Sequence, residues 1–287
     1  MNNMDNNEFD EDVPHMSFFI LGARHRYDIL NELLKHEKLK PTEIASNLAI
    51  PLQNFSRDLN MLYRQWDWLG KDKDENYQLK PWARVMCSVL LPTVNFLAKN
   101  TSYFNEHDFG RLPKQFTNSI GVFAKSQHIK SVLRIESKEK SIFRNSNDYV
   151  YNILSEAKFS SELMKILEEK LSKGQQVRSI FSENTVLPEN DESDDDGKLL
   201  NKNGKKIRQY LMKGQVKRKM MDNVNISIVM NESESLVMFP RLGKDTPDVS
   251  EGFYSNDKDF HQWCLDYFSY CWDDQSKSFE RFEKNEE

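Results

Sequence analysis

Histidine, lysine and acidic residues twice approach the spacing His-x-Lys-x4-Asp, a pattern whose side chains can cleave phosphodiesters. The first set is His36, Lys38 and Glu43. In the second set, His128 and Lys130 are followed by Ile135 where a carboxylate is needed. General acid–base catalysis requires that all the reacting groups converge in one site. The first set lies within residues 17–80, whose pattern, described below, is that of a binding domain and not of such a site. We therefore predict that the chain has no catalytic residues.

Soft metal ligands occur together near the end of the chain. His261 and Cys264 are three residues apart and Cys271 lies two helical turns further on, so one helix face could bind a metal or respond to oxidation. Cysteine and histidine on an aromatic-rich helix more often fill a core, which is the interpretation we favour. The acidic run ESDDDG has Asn203 where a calcium loop needs a bidentate Glu. We predict no metal and no cofactor.

A polar row is predicted on one helix between Gln53 and Arg64. At about 100 degrees per residue, its members lie opposite the apolar Phe55, Leu59 and Leu62. Such a row can be merely a solvated face, but arginine pairs with guanine and asparagine or glutamine with adenine in the major groove of DNA. The predicted DNA-binding residues are Gln53, Asn54, Ser56, Arg57, Asn60 and Arg64, joined by Lys71 and Lys73 in the turn that follows.

The elements around this row are in the order of a winged helix–turn–helix domain at residues 17–80. Apolar residues from Phe18 to Leu34 recur at helical spacing and predict one long helix that ends near His36. The run PTEIASNL begins a second helix at Pro41, and a tight turn at residues 49–52 leads to the third. Two short strands around KDKDEN form the wing. This order favours the DNA interpretation of the polar row.

The rest of the chain predicts a linker and dimerisation helix at 81–112 and an α/β domain at 113–279. LSKGQQVR and LMKGQVKR are two helix–glycine–strand units about 40 residues apart, as α/β layering requires. VNISIVMN and SLVMFPRL predict consecutive strands, and an aromatic helix follows at about 257–275. We expect a disordered acidic tail at 1–16, a flexible acidic loop at 183–204 and a terminal tail at 280–287.

Composition restricts the class of protein less than the motifs do. The chain has 287 residues and a formal charge of −5, and residues 17–84 hold 11 Lys or Arg against 9 Asp or Glu. Three cysteines without CxxC spacing predict neither a disulfide framework nor a zinc finger. No apolar run approaches the roughly 18 residues of a membrane span, so we expect a cytoplasmic protein.

The runs LGARHRYDILNELL, PTEIASNL, NFSRDLNML and NYQL resemble the ArsR-like winged-helix head of archaeal transcription regulators. KGQQVRSIF and LVMFPRLGKDTPDVSEGFYSNDKDFHQWCLDYFSYCWD resemble the effector domain of methanogenesis-regulatory proteins. The resemblance implies a homodimer that binds operator DNA, with an effector domain that is phospholipase-D-like but catalytically empty.

We therefore predict a transcription regulator that binds double-stranded DNA and whose second domain senses a small-molecule effector or mediates assembly. The predicted effector pocket includes Arg178, Ser255, His261 and Trp263. The alternative is a winged-helix protein-interaction module, which the small basic surplus of residues 17–84 keeps open. Loss of salt dependence, or of DNA binding altogether, would favour this alternative.

Overall fold

A computed structural model describes residues 12–156, 161–185, 207 and 209–278, with the side chains of 12–16 and of Leu52 left out. The chain forms two compact units, Met1–Asn95 and Phe96–Glu287. The predicted loop at 183–204 lies outside the described residues after Thr185, as do residues 1–11 and the tail at 280–287. Within the described part, no helix combines the length and apolar character that crossing a bilayer demands.

From residue 12 onward, the first unit contains four helices followed by a hairpin and the start of a fifth helix. Their bounds are α1 Asp12–Leu21, α2 Arg24–Lys35, α3 Pro41–Leu48, α4 Leu52–Asn60 with a π-helical turn Met61–Gln65, β1 Leu69–Lys71, β2 Tyr77–Leu79 and α5 Pro81–Lys99. The strands are antiparallel, with Leu69 opposite Leu79. The predicted helix, turn, helix and hairpin are therefore present, in the order that defines a winged helix–turn–helix domain.

Two predictions at the start of this unit are wrong. Residues 12–16 belong to α1 rather than to a disordered tail, and the single helix expected up to His36 is broken at residues 22–23. Arg26 supplies the reason, because its guanidinium donates hydrogen bonds to the carbonyls of Phe19 (2.9 Å) and Ile20 (3.1 Å). Those carbonyls at the end of α1 are thus satisfied by a side chain instead of by a further helical turn.

The core of the first unit lies between α2, α3, α4 and the hairpin. Ile29, Leu33, Ile44 and Leu62 have no exposed surface, which is the inward pattern expected from their helical spacing. Glu43 accepts a hydrogen bond from the backbone N–H of Lys40 at 2.7 Å and thereby satisfies a free donor at the start of α3.

The predicted linker helix at 81–112 is two helices. The first, α5, ends at Lys99, and the second, α6, spans Thr101–Glu106. Asn100 separates them, with non-helical backbone angles (φ −115, ψ 26) and a side chain that donates to the carbonyl of Phe96 at 2.9 Å. Asparagine competes with the helix for backbone partners in this way, so the break has a local cause.

The second unit is a mixed α/β domain whose described residues form a sheet of eight strands in the order β10-β6-β5-β4-β7-β8-β9-β3. The strands are β3 Gln127–Lys130, β4 Tyr149–Leu154, β5 Gln176–Ser182, β6 Val216–Met221, β7 Ser227–Asn231, β8 Ser235–Met238, β9 Glu251–Ser255 and β10 Lys277–Ser278. The helices are α7 Lys114–Asn118, α8 Val132–Asn145, α9 Ser161–Ser172 and α10 Lys258–Tyr270, with a 3-10 helix Ile120–Lys125 and a π-helical turn Cys271–Gln275.

The two predicted helix–glycine–strand units form the parallel part of this sheet. β4 pairs in parallel with β5, and β5 with β6. Gly174 and Gly214 precede the two strands with φ of 91° and 73°, a conformation that only glycine adopts without strain. The helix of the first unit is α9, and residues 209–212 are helical in the second.

Helices cover both faces of the sheet. On one face Ile153, Ile228 and Val237 pack in a cluster with Phe260 and Phe268 of α10. On the other face lies a second cluster in which the strand residues Val150, Val177, Val216 and Val229 meet Ile142 of α8 and Leu171 of α9. The alternation of strand side chains between the two clusters is that of a central sheet in a three-layer α/β domain.

Candidate nucleic-acid interface

The polar row on α4 lies at the surface. Gln53, Asn54, Ser56, Arg57 and Asn60 are all exposed, whereas Phe55, Leu59 and Leu62 on the opposite side are buried. The amphipathic division predicted from the sequence is therefore present for these residues.

Arg64 is also exposed, but it lies in the π-helical turn Met61–Gln65 and not in α4. Backbone hydrogen bonds in such a turn span five residues instead of four. The step of about 100 degrees per residue that aligned Arg64 with the row does not hold across it. Arg64 therefore belongs to the same surface without continuing the same row.

A buried carboxylate fixes α4 from its inner side. The side chain of Asp58 is 5% exposed, and its oxygens lie 3.5 Å from Nδ1 of His25 and 3.9 Å from the guanidinium of Arg26. The Arg26 guanidinium also lies over the rings of Phe19 and Trp66, at 5.0 and 4.9 Å. These contacts connect α4 to α1 and α2 and give its outer row a defined orientation.

The sequence interpretation missed Asp58, although a signal was available. Asp58 lies three residues after Phe55 and one before Leu59, so helical spacing places a carboxylate on the apolar side. A buried charge requires a partner, and His25 and Arg26, two helices earlier, are candidates for it. The omission came from treating the inner face as uniformly apolar.

The wing carries lysines that are partly neutralised. The Nζ atom of Lys71 lies 2.6 Å from Glu75, and that of Lys38 lies 3.0 Å from Asp72. Asp72 also accepts hydrogen bonds from the side-chain amide and the backbone N–H of Asn76. Its pKa is held well below its ordinary value, first by the Asn76 side chain and then by Lys38. Lys73 is exposed and has no ion pair within the described residues.

The start of α5 presents an apolar strip to solvent. Trp82, Val85 and Val89 are 45%, 65% and 62% exposed and recur at intervals of three and four residues. Trp82 also contacts the buried Trp68 edge-on, with ring centroids 4.9 Å apart. Contiguous exposed apolar surface of this kind is typical of an interaction site.

The four residues of the predicted effector pocket do not line a common cavity among the described residues. Arg178 lies over the rings of Tyr151 and Trp272, and His261 Nε2 lies 2.6 Å from the carbonyl of Asn231. Trp263 is 4% exposed and donates to the carbonyl of Phe116 at 3.1 Å. Ser255 accepts a hydrogen bond from the backbone of Asp257 at 3.0 Å. Each side chain thus has a packing or capping contact.

Cavities lie instead at the carboxyl ends of the parallel strands. One of about 450 Å³ is bounded by polar residues that follow β4, β5 and β6, among them Ser155, Asn184 and Asn223. A second of about 220 Å³ lies beside it, with Phe143 and Leu154 in its wall. Ligands of α/β domains generally bind at this end of the sheet.

The suggested metal or redox face on α10 is a packing face. Cys264 and Cys271 are 0% and 1% exposed, and burial raises the pKa of both thiols, that of Cys271 to about 12. Metals and oxidants react with thiolates, which these environments disfavour. The acidic run ESDDDG lies outside the described residues.

Neither a family model nor a curated protein matches the chain. Among solved structures, TrmBL2, an archaeal chromatin protein with a novel mode of DNA binding, is similar at 12% identity and a TM-score of 0.39, over 90% of this chain and 97% of that one. A phospholipase D family member from Salmonella typhimurium is similar at 10% identity and a TM-score of 0.33, over 50% of this chain and 90% of that one. A phosphatidylserine synthase from Haemophilus influenzae has 13% identity and a TM-score of 0.32, over 49% of this chain and 36% of that one. Similarity at this level does not determine a function.

Proposed function

We propose that the chain binds double-stranded DNA in a sequence-specific way as a homodimer and regulates transcription. The observation that carries the proposal is the contrast between the two sides of α4. Its outer row is polar, uncharged except for Arg57, and exposed, while its inner side is fixed by apolar packing and by the buried Asp58. A helix held in this manner after a tight turn is suited to enter the major groove.

The outer row has the side chains that read base edges. Arg57 can donate two hydrogen bonds to the O6 and N7 atoms of guanine, and Gln53 and Asn60 can each pair with the N6 and N7 atoms of adenine. Asn54 and Ser56 beside them have the hydrogen-bonding groups that contact phosphates. Lys71, Lys73 and Arg64 add positive charge on the same unit for the DNA backbone.

The strip on α5 supports the homodimeric part of the proposal. A second copy of the chain is the occupant that we assign to Trp82, Val85 and Val89, because pairing identical strips buries the apolar surface of both copies at once. Two copies related by a twofold axis would recognise two half-sites about 34 Å apart, one helical turn of DNA.

Selection of bound genomic fragments, followed by fluorescence anisotropy on the recovered sequence, tests this function. We expect an inverted repeat with half-sites one turn apart. Replacing Arg57 and Asn60 by alanine should weaken specific binding by at least a hundredfold, since each bidentate base contact contributes about 1–3 kcal/mol.

The matched control is Lys140→Ala, which removes a surface cation of the second unit that pairs with Glu162. It should leave DNA affinity unchanged. Wild-type affinity in the folded double variant would contradict the assignment of α4, and failure to recover any enriched sequence would contradict the function itself.

A protein-interaction module is the second candidate, and the wing is the observation in its favour. Glu75 and Asp72 neutralise Lys71 and Lys38, which leaves less charge for DNA than a wing usually provides. The salt dependence of binding separates the two candidates. DNA affinity must fall steeply with salt if phosphates are neutralised, whereas a protein partner held by apolar contacts is far less sensitive.

For the second unit we propose a sensing role without catalysis. Ile135, at the position of the missing carboxylate, is fully buried, which supports the absence of phosphodiesterase activity. The cavities at the ends of β4, β5 and β6 are the supported location for a small-molecule effector. Binding of a ligand there would be detected as a rise in melting temperature and as a change in DNA affinity.

A further inference from the structure

A histidine and two carboxylates meet inside the second unit. His107 follows α6, and Asp248 and Glu251 come from the turn before β9 and from its first residue. Each of the three offers a ligand atom, and these atoms lie within 4.8 Å of one another. The side chain of His107 is completely buried, and those of Asp248 and Glu251 are 9% and 13% exposed.

The ring of His107 is oriented so that its Nε2 atom faces the carboxylates. Its Nδ1 atom lies 2.9 Å from the carbonyl oxygen of Tyr103, and because a carbonyl only accepts, the proton is on Nδ1. Nε2 lies 3.4 Å from Asp248 and 4.0 Å from Glu251 and makes no hydrogen bond. An imidazole that donates Nδ1–H to a backbone carbonyl and leaves Nε2 bare has the arrangement found in metal-binding histidines.

A second histidine shows the same arrangement beside the first. Asn100 donates through Nδ2 to the carbonyl of Phe96, which leaves its Oδ1 atom to accept from Nδ1 of His128 at 2.9 Å. The Nε2 atom of His128 is buried, makes no hydrogen bond and lies 3.7 Å from Oε1 of Glu251. Two unprotonated imidazole nitrogens therefore face the carboxylate of Glu251. The lone pairs of these nitrogens and of the carboxylate oxygens repel one another unless a cation lies between them.

The distances fit a metal ion better than a direct ion pair. N–H···O hydrogen bonds are about 2.7–3.2 Å long, so Nε2 of His107 is too far from either carboxylate for an imidazolium bond. A tetrahedral zinc ion with bonds of about 2.1 Å holds its ligand atoms about 3.4 Å apart. This value equals the separation of His107 Nε2 and Asp248 Oδ2, whereas Nε2 lies 4.0 Å from Oε2 of Glu251, a distance that must shorten when the ion binds.

The surroundings hold the carboxylates in place. Oδ1 of Asp248 accepts from the backbone N–H and the hydroxyl of Ser250, so Oδ2 is the atom turned toward His107. Arg241 Nε donates to the same Oδ2 atom at 2.6 Å, and Lys130 Nζ lies 3.3 Å from Oε1 of Glu251, so a metal ion would share these two oxygens with the two cationic side chains. At Gly252 an added Cβ would lie 2.7 Å from the carbonyl of Val237, so the backbone beside Glu251 approaches its neighbour as closely as glycine allows.

We propose that His107, Asp248 and Glu251 bind one Zn²⁺ ion, with His128 as the nearest additional nitrogen ligand. Imidazole nitrogen favours zinc over magnesium or calcium, which prefer oxygen alone. The ion connects the end of α6 to β9 and β3. All four residues lie in the second unit, so zinc binding can be tested without DNA.

Zinc content and Co²⁺ spectroscopy on the full chain, produced without a histidine tag, test the proposal. We expect one equivalent of zinc per chain by elemental analysis. After removal with a chelator, Co²⁺ should bind in a saturable 1:1 titration and give tetrahedral d–d absorption without a thiolate charge-transfer band, since Cys264 and Cys271 are not ligands.

The double variant His107→Gln with Asp248→Asn should lose at least a hundredfold in zinc affinity. His36→Gln, which alters an exposed histidine of the first unit, should bind zinc as the wild type does. Absence of saturable 1:1 binding in the folded wild type overturns the proposal even if the double variant does not fold. Zinc binding that survives the double substitution, or a thiolate band with cobalt, also overturns it.

Discussion

Asp58 and Arg57 are neighbours in the sequence, and their replacement by alanine should have opposite consequences. Asp58 is the buried anion that fixes α4, with its side chain 5% exposed, whereas the side chain of Arg57 is 69% exposed on the outer row. Asp58→Ala should therefore destabilise the first unit, while Arg57→Ala should weaken DNA binding and leave stability within about 0.5 kcal/mol of wild type.

The magnitude for Asp58 follows from its partners. Removing one member of a buried ion pair costs about 3–5 kcal/mol, because the remaining charge stays buried without compensation. Arg26 keeps its hydrogen bonds to the carbonyls of Phe19 and Ile20, His25 is about one-third exposed, and Arg57, whose Nε lies 3.9 Å from Asp58, is 69% exposed, so we expect the lower end, about 3 kcal/mol. In a domain of this size each kcal/mol shifts the melting temperature by about 4–8 °C, which gives about 12–24 °C.

This effect can be measured in the intact chain by thermal unfolding with hydrogen–deuterium exchange as the probe. Exchange of the amides of α2 and α4 reports on the first unit, and exchange of those in the central strands reports on the second. Asp58→Asn, which keeps the volume, separates loss of charge from loss of packing. A melting temperature of Asp58→Ala within about 3 °C of wild type would show that the buried carboxylate does not stabilise α4.

Two further predictions concern the wing and the strip on α5. Glu75→Gln should free Lys71 from its ion pair and raise DNA affinity severalfold. The slope of the logarithm of the DNA association constant against the logarithm of the salt concentration should steepen by about 0.9 per protomer. An unchanged slope in anisotropy titrations would show that Lys71 does not reach phosphate. Val85→Glu with Val89→Glu should convert the dimer to a monomer in light scattering, whereas Leu133→Glu, at an exposed apolar residue of the second unit, should not; a variant that remains dimeric would place the interface elsewhere.

Local patterns were the most predictable part of the fold. The helix order and hairpin of the first unit, and the two glycine-terminated units before β5 and β6, follow from periodicity and from glycine at positive φ. β3 and β9 were not predicted, because QHIK and EGFYS are short and gain their strand character from pairing with each other and with β8.

The functional residues also divide into those that a local sequence pattern predicts and those that depend on contacts between distant elements. The outer row of α4 is a property of one helix and could be read from spacing. Asp58 with Arg26 is a contact between helices, and His107 meets Asp248 across more than a hundred residues of sequence. Of the expected effector residues, Ser255, His261 and Trp263 share a run of sequence and Arg178 lies in β5, but neither fact indicates a shared cavity. Trp263 packs in the core because its ring is surrounded by Phe116, Phe123 and Tyr267.

The pairing of β3 with β9 also has a consequence for how the protein is made. The two strands are about 120 residues apart, and β3 has no other partner among the described strands. At about 5–20 residues per second, a ribosome synthesises His128 roughly 6–25 s and His107 roughly 7–29 s before Glu251. During that interval the edge of the sheet is absent and both histidines lack their carboxylates, so the nascent chain can complete this corner only after nearly the whole domain has emerged.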